Sequence, residues 1–594
     1  MAAFHFSPRP NRAGDVHWRE WSPEAFREAK EADKPILLGI SAVWCHWCHV
    51  MDETSYSDDE VIRLINERYV AIRVDNDRRP DVNRRYNLGG WPTTAFLTPQ
   101  GEILHGGTYI PPEQMRQYLA QVADLWRDRR DELAARIAEA RDKEAVARAE
   151  ERRGALTPDI VERVGALVRG QYDAEYGGFG REPKFPQPSV LRFLLDEHRR
   201  RGSADAAAML RKTLGAMAGG GIYDRIEGGF FRYATTRQWQ VPHYEKMLED
   251  NAELLRIYSE AHVAFPDAGY DAVARDVMRW MDATLWLPEG PERAAFAGSQ
   301  DADEHYYSLG SRARVGHGAP YVDRTVYASW NCLAASAYLA AARALGDASL
   351  EDRAHDVVVT VANRLVSGGD LHHFDAGDGP RLPGLLADAA TLVTAMLDLY
   401  ETGRWPSALD GALLHARRMR ERLEDAAGGG FYDAPERDEV GRVTTREKPI
   451  EENASAAEAL LRLAAITDDA SWRDSAARAL EIFVPSYRRW GQQASSYAVA
   501  VARALAEPAV VSVVGPEDDG AAPLWSVARR ADDPALSLRR LDPARDRARL
   551  DALGYAPERT AAYVCVGTVC SAPLHEPSEL QRELARIKER FSGA

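Results

Sequence analysis

Between residues 176 and 433 the chain repeats one short loop. Tyr176-Gly177-Gly178-Phe179, Glu227-Gly228-Gly229-Phe230 and Gly428-Gly429-Gly430-Phe431 each interrupt long Ala/Leu-rich stretches of helical period. The shared glycine pairs begin at 177, 228 and 429, intervals close to one and four lengths of a unit of about 50 residues. A period in that range marks a repeated supersecondary unit that buries its apolar face only by stacking on its neighbours. About six helix pairs of that length fit into 156–505, so the spacing predicts an (α/α)6 barrel with the glycine loops reversing the chain at its rim. The competing arrangement is an open helical solenoid.

Residues 1–125 follow another pattern. Helical stretches at 25–32, 48–68 and 112–125 alternate with strands at 35–41, 69–74 and 94–97, and Gly101 opens a hairpin into 103–104. This β-α-β-α-β-β-α order is the thioredoxin arrangement. Where the first strand meets its helix stands Trp44-Cys45-His46-Trp47-Cys48-His49. A cysteine at a helix N-terminus faces unpaired N–H groups and the positive end of the helix dipole, which favour thiolate. Cys45 is therefore the expected nucleophile and Cys48, one turn on, the resolving thiol. His46, between them, stabilises a Cys45 thiolate when cationic. Three other readings compete: covalent haem attachment through C-x-x-C-H, a structural zinc, and two thiols that merely pack. Haem attachment requires export, and Met1-Ala2-Ala3-Phe4-His5 shows no charged-then-apolar signal; zinc lacks a fourth ligand. No metal and no cofactor are expected.

With 594 residues, two to four domains are expected. Residues 126–155, almost purely charged residues and alanine, read as a solvated helical linker whose cleavage should release two folded pieces. Residues 506–594 carry strand-like runs at 509–514 and 562–566 and read as a small C-terminal α/β appendage. The expected class is thus multidomain: an α/β domain over 1–125, the linker, an all-α barrel over 156–505 and the appendage. Net charge is −16, with 75 basic against 91 acidic residues, which argues against nucleic-acid and anionic-membrane binding. No apolar run approaches the ~20 residues of a membrane span. Five cysteines are too few for a disulfide-stapled secreted chain, so a reducing, cytoplasmic setting is expected.

Several stretches together resemble the spermatogenesis-associated thioredoxin-like proteins, which join a thioredoxin-like domain to a six-hairpin glycosidase-like barrel. They are residues 45–51, Val74-Asp75 with Arg79-Pro80-Asp81, Gly89-Gly90-Trp91-Pro92, Gly221-Ile222-Tyr223-Asp224 with Arg232-Tyr233, residues 241–248 with Asp250-Asn251, and residues 299–303. The resemblance implies a cis bond before Pro92, opposite the dithiol. It also exposes a departure at Gly39, where typical thioredoxins place a buried carboxylate as proton acceptor: either His46, His49 or Asp52 takes that role here, or the domain is a poor reductase.

The densest polar cluster outside the dithiol lies at 223–251. Sugar chemistry on such barrels needs aromatic platforms and paired proton-transferring groups at the mouth. Asp224, Arg232, Trp239, His243 and Glu245, with Asp301 and Asp303 further on, are the pocket candidates, and Trp239 and Trp330 the platform. Ligand binding and a buried structural network are the other readings of the cluster. Cys565 and Cys570, separated by Val-Gly-Thr-Val, form a second dithiol if a strand and its return bring them together; zinc with His575 and inert packing compete. The leading expectation is thiol–disulfide exchange with a protein thiol or disulfide partner, the barrel binding or selecting the substrate. The alternatives are a carbohydrate-active barrel of isomerase or hydrolase type, taking a carbohydrate ligand and regulated by the thioredoxin-like domain, and a non-enzymatic chaperone or scaffold.

Overall fold

Ile36, Leu38 and Ile40 point to one face of a strand and Leu37 and Gly39 to the other, and both faces are buried. In the computed structural model, which describes residues 4–149, 153–288, 294–516, 521–556 and 559–592, this strand is the centre of a five-stranded sheet. Its strands are β1 (Trp18–Arg19), β2 (Ile36–Ser41), β3 (Val70–Asp75), β4 (Thr93–Leu97) and β5 (Ile103–Gly107), in the order β1-β3-β2-β4-β5. The β1, β3 and β2 pairings are parallel, and β4 and β5 run antiparallel. One face packs Leu37, Met51, Tyr56, Ile65, Phe96 and Leu119; the other packs Phe26, Leu38, Ile40, Ile72, Val74 and Tyr86. The helices are α1 (Pro23–Glu31), α2 (His46–Glu53), α3 (Asp59–Arg68), α4 (Pro80–Tyr86) and α5 (Pro112–Ala149). The single helix expected over 48–68 is two. Thr54 leaves helical geometry, and the Asp58 carboxylate accepts from Glu60 N and Val61 N to start a new helix. The helix expected to end at 125 continues to Ala149, broken at Arg129.

The chain separates into two units, neither continuous in sequence. The first comprises Met1–Glu151, Ser299–Asp323 and Ala434–Glu447, and the second comprises Arg152–Gly298, Arg324–Asp433 and Lys448–Ala594. Within the first unit Arg437 and Arg79 bracket the buried Asp81 carboxylate at 2.6 and 2.9 Å, Arg85 donates to the Thr445 carbonyl at 2.7 Å, and Val443 is buried beside Phe26 and Tyr86. A cut within 126–155 therefore leaves two pieces of the first unit on the far side of the cut, so the clean release expected of a linker does not follow.

The second unit is a closed ring of helix pairs. Among the described residues the ring is made of α6 (Pro158–Gln171), α7 (Pro188–Arg201), α8 (Ala204–Gly219), α9 (Leu248–Ala264), α10 (Tyr270–Trp280), α11 (Ala328–Leu345), α12 (Ser349–Arg364), α13 (Leu386–Tyr400), α14 (Ala408–Leu423), α15 (Ile450–Thr467), α16 (Ala470–Glu481) and α17 (Ser495–Leu505). Inner helices α7, α9, α11, α13, α15 and α17 pack in succession, and α17 returns to α7, which closes an (α/α)6 barrel and excludes the open solenoid. Outer helices show one apolar stripe, as in α10 with Tyr270, Ala274, Val277 and Met278. The C-terminal segment adds strands β6 (Ala509–Val514), β7 (Leu536–Leu541), β8 (Ala561–Val566) and β9 (Val569–Cys570) in the order β7-β6-β8-β9.

The repeated glycine loops share one construction. Asp173, Asp224 and Asp425 each stand four residues before the first loop glycine and accept from backbone N–H groups two and three residues on. Each also receives a lysine ammonium at 2.7 Å, from Lys184, Lys246 and Lys448 respectively. That ammonium donates a second bond to the carbonyl of Gly177, Gly228 or Gly429. Both glycines of each pair have φ between 68° and 88°, open to glycine and strained for other residues. Asn251, Asn331 and Asn453 complete the pattern, each clasping both backbone groups of a phenylalanine: Phe230, Phe296 and Phe431.

Candidate functional site

Cys45 is the N-cap of α2, and its Sγ accepts the Cys48 N–H at 3.2 Å. The loop from β2 thus delivers the sulfur to the unpaired amides of a helix start, where a thiolate is stabilised. Cys45 and Cys48 are joined as a disulfide, with Cα atoms 5.2 Å apart. Cys45 is 4% and Cys48 3% exposed. The Trp91–Pro92 peptide bond is cis. Trp44, buried, donates to Asp77 at 2.6 Å and meets Trp91 edge-on at 5.8 Å.

The three substitutes considered for the proton acceptor missing at Gly39 differ sharply. A side chain at Gly39 would meet the Tyr56 hydroxyl at 3.2 Å and the Trp18 ring. Asp52 is committed: Arg73 binds it through two nitrogens at 2.8 and 3.0 Å, and Ser7 N donates at 3.1 Å. His46 is half-buried beside Trp47, their rings 5.8 Å apart. His49 donates through Nε2 to the Val43 carbonyl at 3.1 Å, and its Nδ1 lies 3.8 Å from Asp301.

Burial, with His5 adding to it, pushes the His49 imidazole down to about 4. It is neutral at pH 7 and gives a Cys45 thiolate no cationic support. In the unfolded chain it titrates near 6.5, so below that pH the unfolded state takes up the proton first. The His49 contribution to stability is complete above pH 6.5 and is lost as pH falls toward about 4, on the order of 3 kcal/mol. Thermal unfolding followed from pH 7 to 4 should show this acid loss in the wild-type chain and a shallower one in His49→Gln; parallel profiles would refute it.

The barrel candidates divide between the units: Asp301 and Asp303 belong to the first, and Asp224, Arg232, Trp239, His243 and Glu245 to the second. Asp224 is held in the loop staple by Lys246, itself fully buried. Trp239, proposed as a platform, is completely buried at φ 66° and donates to the Tyr176 carbonyl, so it has no face to offer. Trp330 is buried too. Asp303 caps a short helix through Tyr306 N. His243 stacks on Tyr233 at 4.6 Å, Tyr233 on the exposed Phe185 at 4.7 Å, and Glu245 Oε1 lies 3.6 Å from His243 Nδ1. Cys565 and Cys570 face each other across the β8–β9 hairpin and form a disulfide, with the Tyr555 hydroxyl 3.2 Å from Cys565 Sγ. Cys332 is buried in α11, and burial pushes its thiol up. Among the described residues no group of three or more His, Cys, Asp or Glu side chains is placed to hold a metal, and no helix is long and apolar enough to cross a membrane.

The family model Thioredox_DsbH, described as "Protein of unknown function, DUF255", matches residues 9–144. Human spermatogenesis-associated protein 20 is 27% identical over 721 aligned residues, covering 96% of this chain and 90% of that protein. The chain is thus similar to the spermatogenesis-associated thioredoxin-like proteins over nearly its whole length. Over 93 residues it is also 28% identical to the thiol:disulfide interchange protein DsbD of Campylobacter jejuni, covering 15% of this chain and 16% of that protein. A sugar epimerase from a ruminal bacterium superposes with a TM-score of 0.44 at 13% identity, covering 55% of this chain and 87% of that one.

Two groups lie outside the site residues named from the sequence, although Asp75 and Asp250 stood in the stretches quoted there. Asp75 ends β3 opposite Ser41 of β2, and burial, with Asp323 adding and Arg78 opposing, pushes its carboxyl up to about 6. Its signal lay in the Val74-Asp75 stretch. In the barrel, burial pushes Glu249 up to about 8, with Glu253 and Asp250 adding; Glu253 to about 7, with Asp250 and Glu451 adding; and Asp250 to about 6, with Arg232 opposing and Glu245 adding. Asp250 Oδ2 and Glu245 Oε2 are buried without a hydrogen-bond partner. Their signal was the spacing Glu249, Glu253, Arg256, Glu260, one charged face of α9.

Proposed function

We propose that the Cys45–Cys48 pair exchanges electrons with thiol partners. The observation that carries this is a disulfide whose first sulfur caps a helix and accepts its amide at 3.2 Å. A substrate thiolate attacks Cys45 Sγ, forming a mixed disulfide, and Cys48 leaves as a thiolate that takes up a proton. A second thiolate of the same substrate then attacks its own sulfur in the mixed disulfide and releases Cys45, so two electrons pass from a substrate dithiol to the pair. In reverse, the reduced pair opens a substrate disulfide, with Cys45 attacking and Cys48 resolving. The near-complete burial of both sulfurs favours a small or extended partner over a folded surface. The similarity to an interchange protein over this segment supports the same reading. Asp75, held near neutral pH at the strand ends from which Cys45 emerges, is suited to carry the exchanged proton. Cys48→Ser should accumulate covalent mixed disulfides at Cys45 in the presence of thiol-reactive protein disulfides. Recovery of only unmodified Cys45 from that variant would exclude the scheme.

A second reading concerns the barrel. The Glu249, Asp250 and Glu253 carboxyls, raised to between about 6 and 8, are in the range useful for proton transfer to a polyhydroxylated ligand. The Phe185–Tyr233–His243 ring stack supplies the apolar face that such a ligand needs.

A further inference from the structure

The six inner helices surround a cavity of about 310 Å³, lined along their length and from residues 529–538. Ion pairs line it beside apolar side chains such as Leu195, Ile257, Leu339 and Val499. Arg462 binds Asp398 at 2.7 Å and Glu401 at 3.0 Å, and Arg199 binds Glu260 at 2.7 Å and Asp532 at 2.8 Å. Arg256 also binds Glu260 at 2.9 Å and Asp398 at 3.6 Å, so three guanidiniums share these four carboxylates. Arg503 takes no part in these pairs: it donates to the Ser537 hydroxyl at 3.3 Å and has no carboxylate at ion-pair distance among the described residues. Burial, with Arg462 and Arg192 adding and Glu458 and Glu401 opposing, pushes its guanidinium down to about 10.

The adjacent lining is open on the acceptor side. Glu458 is 7% exposed; Arg192 holds its Oε2, and its Oε1 is buried without a partner. Ser189 stands three residues before Arg192 on α7, Ser455 three before Glu458 on α15, and Ser496 seven before Arg503 on α17. Those spacings put each serine on the face of its charged neighbour, and all six residues line the cavity on three consecutive inner helices. A side chain of this group would thus meet both an unneutralised guanidinium fork and a row of hydroxyl and carboxylate acceptors.

We propose that this cavity binds a small polyhydroxylated molecule bearing one oxyanion group, the oxyanion on Arg503 and Arg192 and the hydroxyls on Glu458, Ser189, Ser455 and Ser496. An oxyanion supplies the counter-charge Arg503 lacks and matches its planar fork. Ligand hydroxyls donate to Glu458 Oε1, which a bare anion would only repel. A neutral sugar leaves the guanidinium uncompensated. A cavity of about 310 Å³ is at the small end of ligand pockets, which limits the occupant to about one sugar ring.

Thermal unfolding of the full chain with glucose 6-phosphate, glucuronate, glucose or inorganic phosphate tests this. At saturation one of the two anionic sugars should raise Tm by about 2 °C or more, and which of them does so separates a phosphate from a carboxylate ligand. Arg503→Gln should abolish the shift, while Cys45→Ser keeps it, since the site is independent of the dithiol. If Arg503→Gln does not fold, Ser455→Ala should weaken binding about tenfold by calorimetry. No shift with either anionic sugar, an equal shift with glucose or inorganic phosphate, or binding unchanged in the variants would overturn the proposal.

Discussion

Asp224→Ala should destabilise the barrel unit by about 3–5 kcal/mol, because it leaves the Lys246 ammonium buried without its counter-ion. Lys246 is fully buried and also donates to the Gly228 carbonyl at 2.8 Å. The three copies of the staple give an internal scale. Lys184 and Asp173 are as buried as Lys246 and Asp224, but Lys448 and Asp425 are each 21% accessible, so Asp425→Ala should cost distinctly less. Denaturant midpoints of the three alanine variants read the order directly. Equal midpoints for Asp224→Ala and the wild-type chain would show that the ammonium finds other partners, and the structural role of the staple would fall.

Cys45→Ser should reduce thiol–disulfide exchange to the background of the remaining thiols, while leaving the thermal transition of the barrel unit in place. Cys332 cannot substitute, since it is buried and its thiol is held in the protonated form. Cys565 and Cys570 sit in a hairpin without a helix N-terminus to activate them. The check is the rate of insulin-disulfide reduction by the reduced chain, wild type against Cys45→Ser and Cys565→Ser. Retained activity in Cys45→Ser with loss in Cys565→Ser would transfer the function to the C-terminal pair.

What the sequence made legible was local. The helix-start position of Cys45 follows from its neighbours in the chain and the barrel from a loop pattern repeated along it, and both are as read. Segments 299–323 and 434–447 were not legible as part of the first unit, because their assignment rests on tertiary contacts such as Arg437 with Asp81 and Val443 beside Tyr86. Asp224 looked catalytic because a carboxylate among His, Lys and Arg has no role until its turn is known. Its place in the repeat was nonetheless written in the chain: Asp173, Asp224 and Asp425 all precede a glycine pair by four residues and are each followed by a lysine. Trp239 could be judged as a platform only once its burial was seen. The charged face of α9 was visible as a spacing, but only closure of the ring turned that face toward a cavity.

The most direct test of the dithiol assignment is a redox titration of the full chain. Protein equilibrated across a series of reduced-to-oxidised glutathione ratios is quenched with acid, alkylated and quantified at Cys45 and Cys48 by mass spectrometry. Cys45 and Cys48 should convert together as one two-electron couple within the span of the glutathione buffer, and Cys332 should remain reduced throughout. A Cys45–Cys48 pair that stays fully oxidised or fully reduced at every ratio would contradict the account and leave the two sulfurs a structural role.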